Sequence, residues 1–164
     1  MAKTTFSGVL RSGGGDTTKT AYAGTVELIA TFYLDPTAAN TTAVQRSATD
    51  TRSVVLPAGA IVTEVQVNAA ATGGTNPTFD LGWIGVSDAT ALDVDGLIAE
   101  GDADAGKTIF NWATGTAGAS MGATVSSGNQ MFRVTGGVGA SAATGGDVSG
   151  YIKYHVSDNG AYTA

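Results

Sequence analysis

IVTEVQVNA, residues 61–69, carries the alternation that decides the fold. Ile61, Thr63, Val65 and Val67 fall on one side of an extended chain, and Val62, Glu64, Gln66 and Asn68 on the other. That period of two is the mark of a strand with one face buried. Similar stretches recur on both sides, bounded by turn residues: TVELIATFYL (25–34), SVVLP (53–57), TFDLGWIGV (78–86), KTIFNWA (107–113), GATVSS (122–127), QMFRVTG (130–136) and VSGYIKYHV (148–156). In the last of these, Val148, Tyr151, Tyr154 and Val156 do not share one parity, so a bulge is expected near Gly150.

About eight strands at this spacing predict an all-β, antiparallel β-sandwich or barrel. Only DATALDVDGLIAE (88–100) could hold a short helix, and without helix–strand alternation a parallel α/β fold is disfavoured. Residues 1–20 are polar, with Gly13-Gly14-Gly15 at their centre, and read as a flexible N-terminal arm. Residues 21–164 are expected to form a single β-sandwich domain, since 164 residues is about one domain.

Charged residues make up only 13% of the chain, about half the usual share, so part of the surface is expected to be covered by other protein. Cysteine is absent, which excludes disulfides, thiolate metal sites and cysteine nucleophiles. No apolar run reaches the length of a membrane span, and MAKTTFSG lacks the apolar core of a signal peptide, so a soluble, unexported product is expected. The net charge is −6, divided between +2 over residues 1–19 and −8 over the remainder. An acidic body repels phosphate backbones, so neither nucleic acid nor membrane is expected as a partner.

Three stretches imitate functional motifs. GDADAGKT (101–108) fits the phosphate-loop pattern, which works only between a buried strand and the start of a helix. DVDGLIAE before it reads as too short and acidic for such a strand, no helix is predicted after it, and Asp102 and Asp104 would repel phosphate. It reads as an acidic turn leading into a strand. GASMG (118–122) fits the esterase elbow, with Asp147 and His155 following Ser120 in hydrolase order. It lies in a Gly/Ala-rich run with no helix to follow, so no catalytic triad is expected. Asp88, Asp93, Asp95, Glu100, Asp102 and Asp104 offer the oxygens calcium prefers, but the EF-hand spacing fails. A solvated acidic loop is the reading. No catalytic residue, cofactor or metal is expected.

TTFSGVLRSGGG at the start resembles small head proteins of tailed bacteriophages, especially short-tailed marine and cyanobacterial ones. TRSVVLPAGAIVTEVQVNAAATGG (51–74) and FDLGWIG (79–85) resemble the first half of their β-sandwich. The resemblance is to capsid decoration, or cement, proteins, and it implies a jelly-roll homotrimer on the outer capsid surface of the virion. Such a protein is made in the bacterial host cytoplasm and partners the phage major capsid protein. On this reading Phe6, Val9, Leu10 and Arg11 are the capsid-contact candidates, three apolar anchors and a cation on the slightly basic arm.

The rival expectation is a carbohydrate-binding or adhesin-type β-sandwich on a virion fibre or cell surface. It would stack sugars on Trp83, Trp112, Tyr151 or Tyr154, although both tryptophans lie among apolar neighbours and suit core packing.

Overall fold

The computed structural model describes residues 27–86, 92–111, 113, 118, 120–122 and 131–156. Among these are eight strands: β1 (Leu28–Leu34), β2 (Val55–Leu56), β3 (Ala60–Ala69), β4 (Thr78–Gly85), β5 (Leu92–Asp102), β6 (Gly106–Asn111), β7 (Phe132–Val138) and β8 (Val148–Val156). They form two four-stranded antiparallel sheets, β1-β8-β3-β6 (sheet A) and β2-β7-β4-β5 (sheet B). The first strand pairs with the last, the second with the seventh, the third with the sixth and the fourth with the fifth. This is a long antiparallel ribbon wound over itself into two sheets, the jelly-roll arrangement. The expected antiparallel sandwich is what forms.

The core is one cluster between the sheets. Phe32, Leu34, Val62, Val65, Val67 and Ile152 from sheet A meet Leu56, Phe79, Leu81, Leu97, Ile98, Phe132 and Val134 from sheet B. Phe79 and Phe110 pack edge to face at 6.1 Å across the two sheets. Each large side chain buried this way contributes about 1.5–3 kcal/mol relative to exposure.

The long connection from Asp35 to Val54 is stitched to β7. Val138 N–H donates to Ala38 O, Gly136 N–H to Thr42 O and Val44 N–H to Val134 O. Its Ala38–Ala39 backbone also lies directly against Gly137, and so it covers one end of the outer face of sheet B. There Asp80 is buried, and its carboxylate accepts from Glu100 N–H at 2.8 Å and from the Asn40 amide at 3.3 Å.

Several expectations are corrected. Residues 92–102 are strand, not helix, because Leu97 and Ile98 are fully buried and apolar burial overrides the acidic composition around them. The bulge lies on β3 and not near Gly150. Val62 faces Tyr154 and Glu64 faces Lys153, leaving Thr63 as the extra residue. It reverses the parity, so Val62 points inward together with Val65 and Val67, while Ile61 and Thr63 are half-buried. Strand β8 runs in register against β1 throughout, with Tyr151 on its outward side. Of the expected strand at 122–127 only Gly122 is described, in a turn. Residues 1–20, with the arm candidates Phe6, Val9, Leu10 and Arg11, lie outside the described residues, as does Trp112.

Candidate functional site

GDADAGKT is the crossing from one sheet to the other. Gly101 and Asp102 end β5 in sheet B, and Gly106, with φ of 74°, opens β6 in sheet A. Between them Ala103 is fully buried and its N–H donates to Pro77 O at 2.9 Å. The Asp102 carboxylate accepts from Asp104 N–H at 3.1 Å, and its proximity raises the Asp104 carboxyl above the ordinary value. Lys107 stands on an edge strand facing Asn68. The crossing leads from a strand of sheet B straight into strand β6 of sheet A and not into a helix, so it is the acidic turn expected from the sequence.

GASMG is a strap between the sheets. Gly118 N–H donates to Leu97 O and Ser120 N–H to Gly96 O, which adds a short rung to β5. Gly118 lies flat on the backbone of Asp95 and Gly96. Met121 is buried, and Gly122 N–H reaches Val62 O on β3 at 2.8 Å. The Ser120 hydroxyl donates to Asp93 Oδ2 at 2.9 Å. Asp147 and His155 sit at opposite ends of β8, eight residues and so about 26 Å apart along the strand. Ser120, Asp147 and His155 thus form no triad.

Of the acidic run, Asp93, Asp95, Glu100 and Asp102 are drawn out along β5 and Asp104 lies in the turn after it, while Asp88 lies outside the described residues. Between Leu81 and Trp83 of β4 the register on β5 jumps from Ile98 to Asp93, so residues 94–97 are extra residues unpaired with β4, of which Gly96 and Leu97 are buried. The Asp93 carboxyl is raised above its ordinary value, first by burial and then by Asp95 beside it. Among the described residues no three His, Cys, Asp or Glu side chains converge as a metal site. Nearby, Trp83 packs edge to face on Phe132 at 4.8 Å, and its indole N–H has no hydrogen-bond partner among the described residues.

Two surfaces escaped the sequence reading. On the outer face of sheet B, away from the covering loop, lie Ile84, Val86, Leu92 and Met131. Ile84 is paired with Leu92, and Val86 N–H donates to Met131 O at 3.0 Å. Val86, Leu92 and Met131 are 43%, 39% and 52% exposed. The signal was the parity of TFDLGWIGV: if Phe79 and Leu81 point inward, Ile84 and Val86 point out. On the outer face of sheet A an open groove of about 470 Å³ runs over Thr31 and Tyr33 of β1, between Arg46 on one side and Asp147 and Ser149 on the other. Tyr154 packs against the core, whereas Tyr151 faces outward with its hydroxyl bonded to Gln66 Oε1.

No protein-family model matches the chain, and no curated protein matches it. Among solved structures the chain is similar to one described as the cyanophage Pam1 capsid asymmetric unit. The two share 19% identity, 95% of this chain and 99% of that one are covered, and the TM-score is 0.42. A likeness this weak lends no weight to a functional reading.

Proposed function

We propose that the protein is a structural virion protein, a decoration protein that binds the outside of a phage head as a homotrimer and stabilises the shell without catalysing a reaction. The observation that carries this reading is the apolar patch of half-buried Ile84 with exposed Val86, Leu92 and Met131, uncovered among the described residues on a sheet whose other end is covered by its own loop. Contiguous apolar surface marks contact with other protein, and the low charge fraction of 13% fits a chain with part of its surface covered. The resemblance of residues 51–74 and 79–85 to capsid decoration proteins points the same way.

A trimer suits the role. Three weak contacts to a lattice act together, and avidity can exceed each affinity by about 10²–10⁴. The patch supplies the contact between copies, and residues 1–20, with Phe6, Val9, Leu10 and Arg11, supply the contact to the major capsid protein.

Sedimentation equilibrium tests the assembly. The wild type is expected at three times the chain mass of 16.3 kDa. Leu92→Asp and Met131→Glu, both exposed in the single chain, are expected to yield folded monomers. A wild type that sediments as a monomer at micromolar concentration overturns the trimer, and trimers unaffected by both substitutions overturn the interface.

A further inference from the structure

The outer face of sheet A holds the second feature that a packing role leaves unused. Thr31 on β1 stands opposite Tyr151 on β8, and Tyr33 stands opposite Ser149. Opposite residues in an antiparallel pair share a face, so both tyrosines project outward as diagonal neighbours, about 7–8 Å apart. Tyr151 is held by Gln66, while Tyr33 forms the floor of the open groove beside it.

The walls of that groove are fixed through their backbone. Arg46 N–H donates to Arg52 O at 3.0 Å, and Arg46 O accepts from the Thr31 hydroxyl at 3.1 Å. On the other side Asp147 O accepts from Ala70 N–H at 2.9 Å. Neither the Arg46 guanidinium nor the Asp147 carboxylate has a hydrogen-bond partner among the described residues. A backbone-anchored frame therefore lines the groove with a tyrosine, with an arginine on one side, and with an aspartate and a serine on the other.

We propose that this groove is a binding site for neutral saccharides, with a sugar ring stacked on Tyr33 and its hydroxyls shared between Arg46 and Asp147. The chemistry matches the ligand class. A pyranose has an apolar C–H face that packs on an aromatic ring, and a rim of hydroxyls that both donate and accept. A guanidinium can only donate and a carboxylate only accept, so together they satisfy a pair of neighbouring hydroxyls. The Arg46 charge is offset by Asp147 across the groove and by Asp50, whose carboxyl Arg46 helps to lower, which disfavours a purely anionic ligand. A volume of about 470 Å³ lies within the range of small-molecule sites and accommodates one or two sugar rings. Among the described residues the larger groove, lined by Ile61, Thr63, Glu64, Asn111 and His155, has no Tyr, Trp or Phe, and its Glu64 carboxylate is taken by Lys153 at 2.9 Å. The proposal is independent of head decoration, since it concerns the other sheet.

The test is titration of the full chain with soluble oligosaccharides of glucose, galactose and N-acetylglucosamine, followed by calorimetry and by amide chemical shifts. At least one series is expected to bind with a Kd on the order of 1 mM, the scale for a ligand of that size. Asp147→Asn and Tyr33→Ala are each expected to weaken it about tenfold, while Tyr33→Phe, which keeps the ring, retains binding. Asp147→Asn preserves shape, so it remains informative if Tyr33→Ala fails to fold. No binding by any series at tens of millimolar overturns the proposal. So does binding that neither substitution weakens, or binding of inorganic phosphate or an acidic peptide at Arg46 in place of sugar.

Discussion

Phe32 on β1 and Gly150 on β8 face each other across the pair, and the phenylalanine ring stands where a side chain at 150 would grow. A Cβ placed on Gly150 would lie 3.1 Å from Phe32 Cε1 and would collide with the backbone carbonyl of Gln66 on β3. Phe32 is 2% exposed, so its ring has no room to retreat.

Gly150→Ala is therefore expected to destabilise the fold by about 1–3 kcal/mol, because a strand must shift to admit one methyl group. Urea denaturation measures it. Loss of stability within about 0.5 kcal/mol, the level of an ordinary surface substitution, would mean that the two strands are not in this register.

That pair also explains where the sequence was legible. Alternation in 61–69 and strand-length apolar runs elsewhere were enough for an antiparallel sandwich, because burial of one face imposes a period of two. The pattern failed where tertiary contact replaces a side chain. Gly150 is an inward position filled by Phe32, so VSGYIKYHV looked irregular although its register is unbroken. Thr63 is an inserted residue, and nothing in IVTEVQVNA marks it as one. In residues 92–102 the surrounding acids Asp93, Asp95, Glu100 and Asp102 masked Leu97 and Ile98, which fix the stretch as strand. The groove was unreadable because Asp147 reaches Tyr33 only through the pairing of the first strand with the last, and Arg46 only through the bridge of Gln45 to Tyr33.

Asp93 gives a pH signature. Its carboxyl is held above the ordinary value of 3.8, mainly by burial and also by Asp95, so the folded state keeps its proton to higher pH than the unfolded chain. Its contribution to stability is then fully present below about 3.8 and is lost as the pH rises through the raised folded value. Asp93→Asn keeps an acceptor for the Ser120 hydroxyl and removes the charge. The variant is expected to melt higher than wild type at pH 7, with the gap closing towards pH 3. A variant that melts lower than wild type at pH 7 would mean that ionised Asp93 stabilises the strap.

The phosphate-loop pattern should be inert. Lys107 lies on an edge strand after a turn between sheets, so no helix dipole and no cradle of N–H groups meets a phosphate there. Melting temperature is expected to be unchanged by ATP–magnesium in the wild type and in Lys107→Ala alike. A site occupied at a hundredfold excess over Kd would add about 2.7 kcal/mol, a shift readily seen by thermal scan. A rise in wild type that Lys107→Ala abolishes would restore nucleotide binding. Ser120→Ala should likewise change no esterase activity, because Asp147 and His155 stand at opposite ends of β8.

The last expectation separates docking from assembly. If residues 1–20 make the contact with the shell while the patch on sheet B holds the trimer, the two can be broken independently. Changing Phe6 and Leu10 to Ser removes apolar contact of about 1.5–3 kcal/mol per buried side chain at each arm. Multiplied over a trimer, that loss should abolish occupancy of undecorated heads, and sedimentation should still return a trimer. Leu92→Asp should do the reverse: the arm is intact, but each monomer binds singly and occupancy falls by the avidity factor, about 10²–10⁴. Stabilisation follows from the same linkage. A trimer that bridges neighbouring shell subunits binds the intact lattice better than separated subunits, so full occupancy should raise the temperature at which heads release DNA. Docking of the Phe6/Leu10 variant as tight as wild type would remove the arm from the contact. An unchanged release temperature at full occupancy would remove the cement role and leave display of the saccharide groove as the better account of what the protein does on a particle.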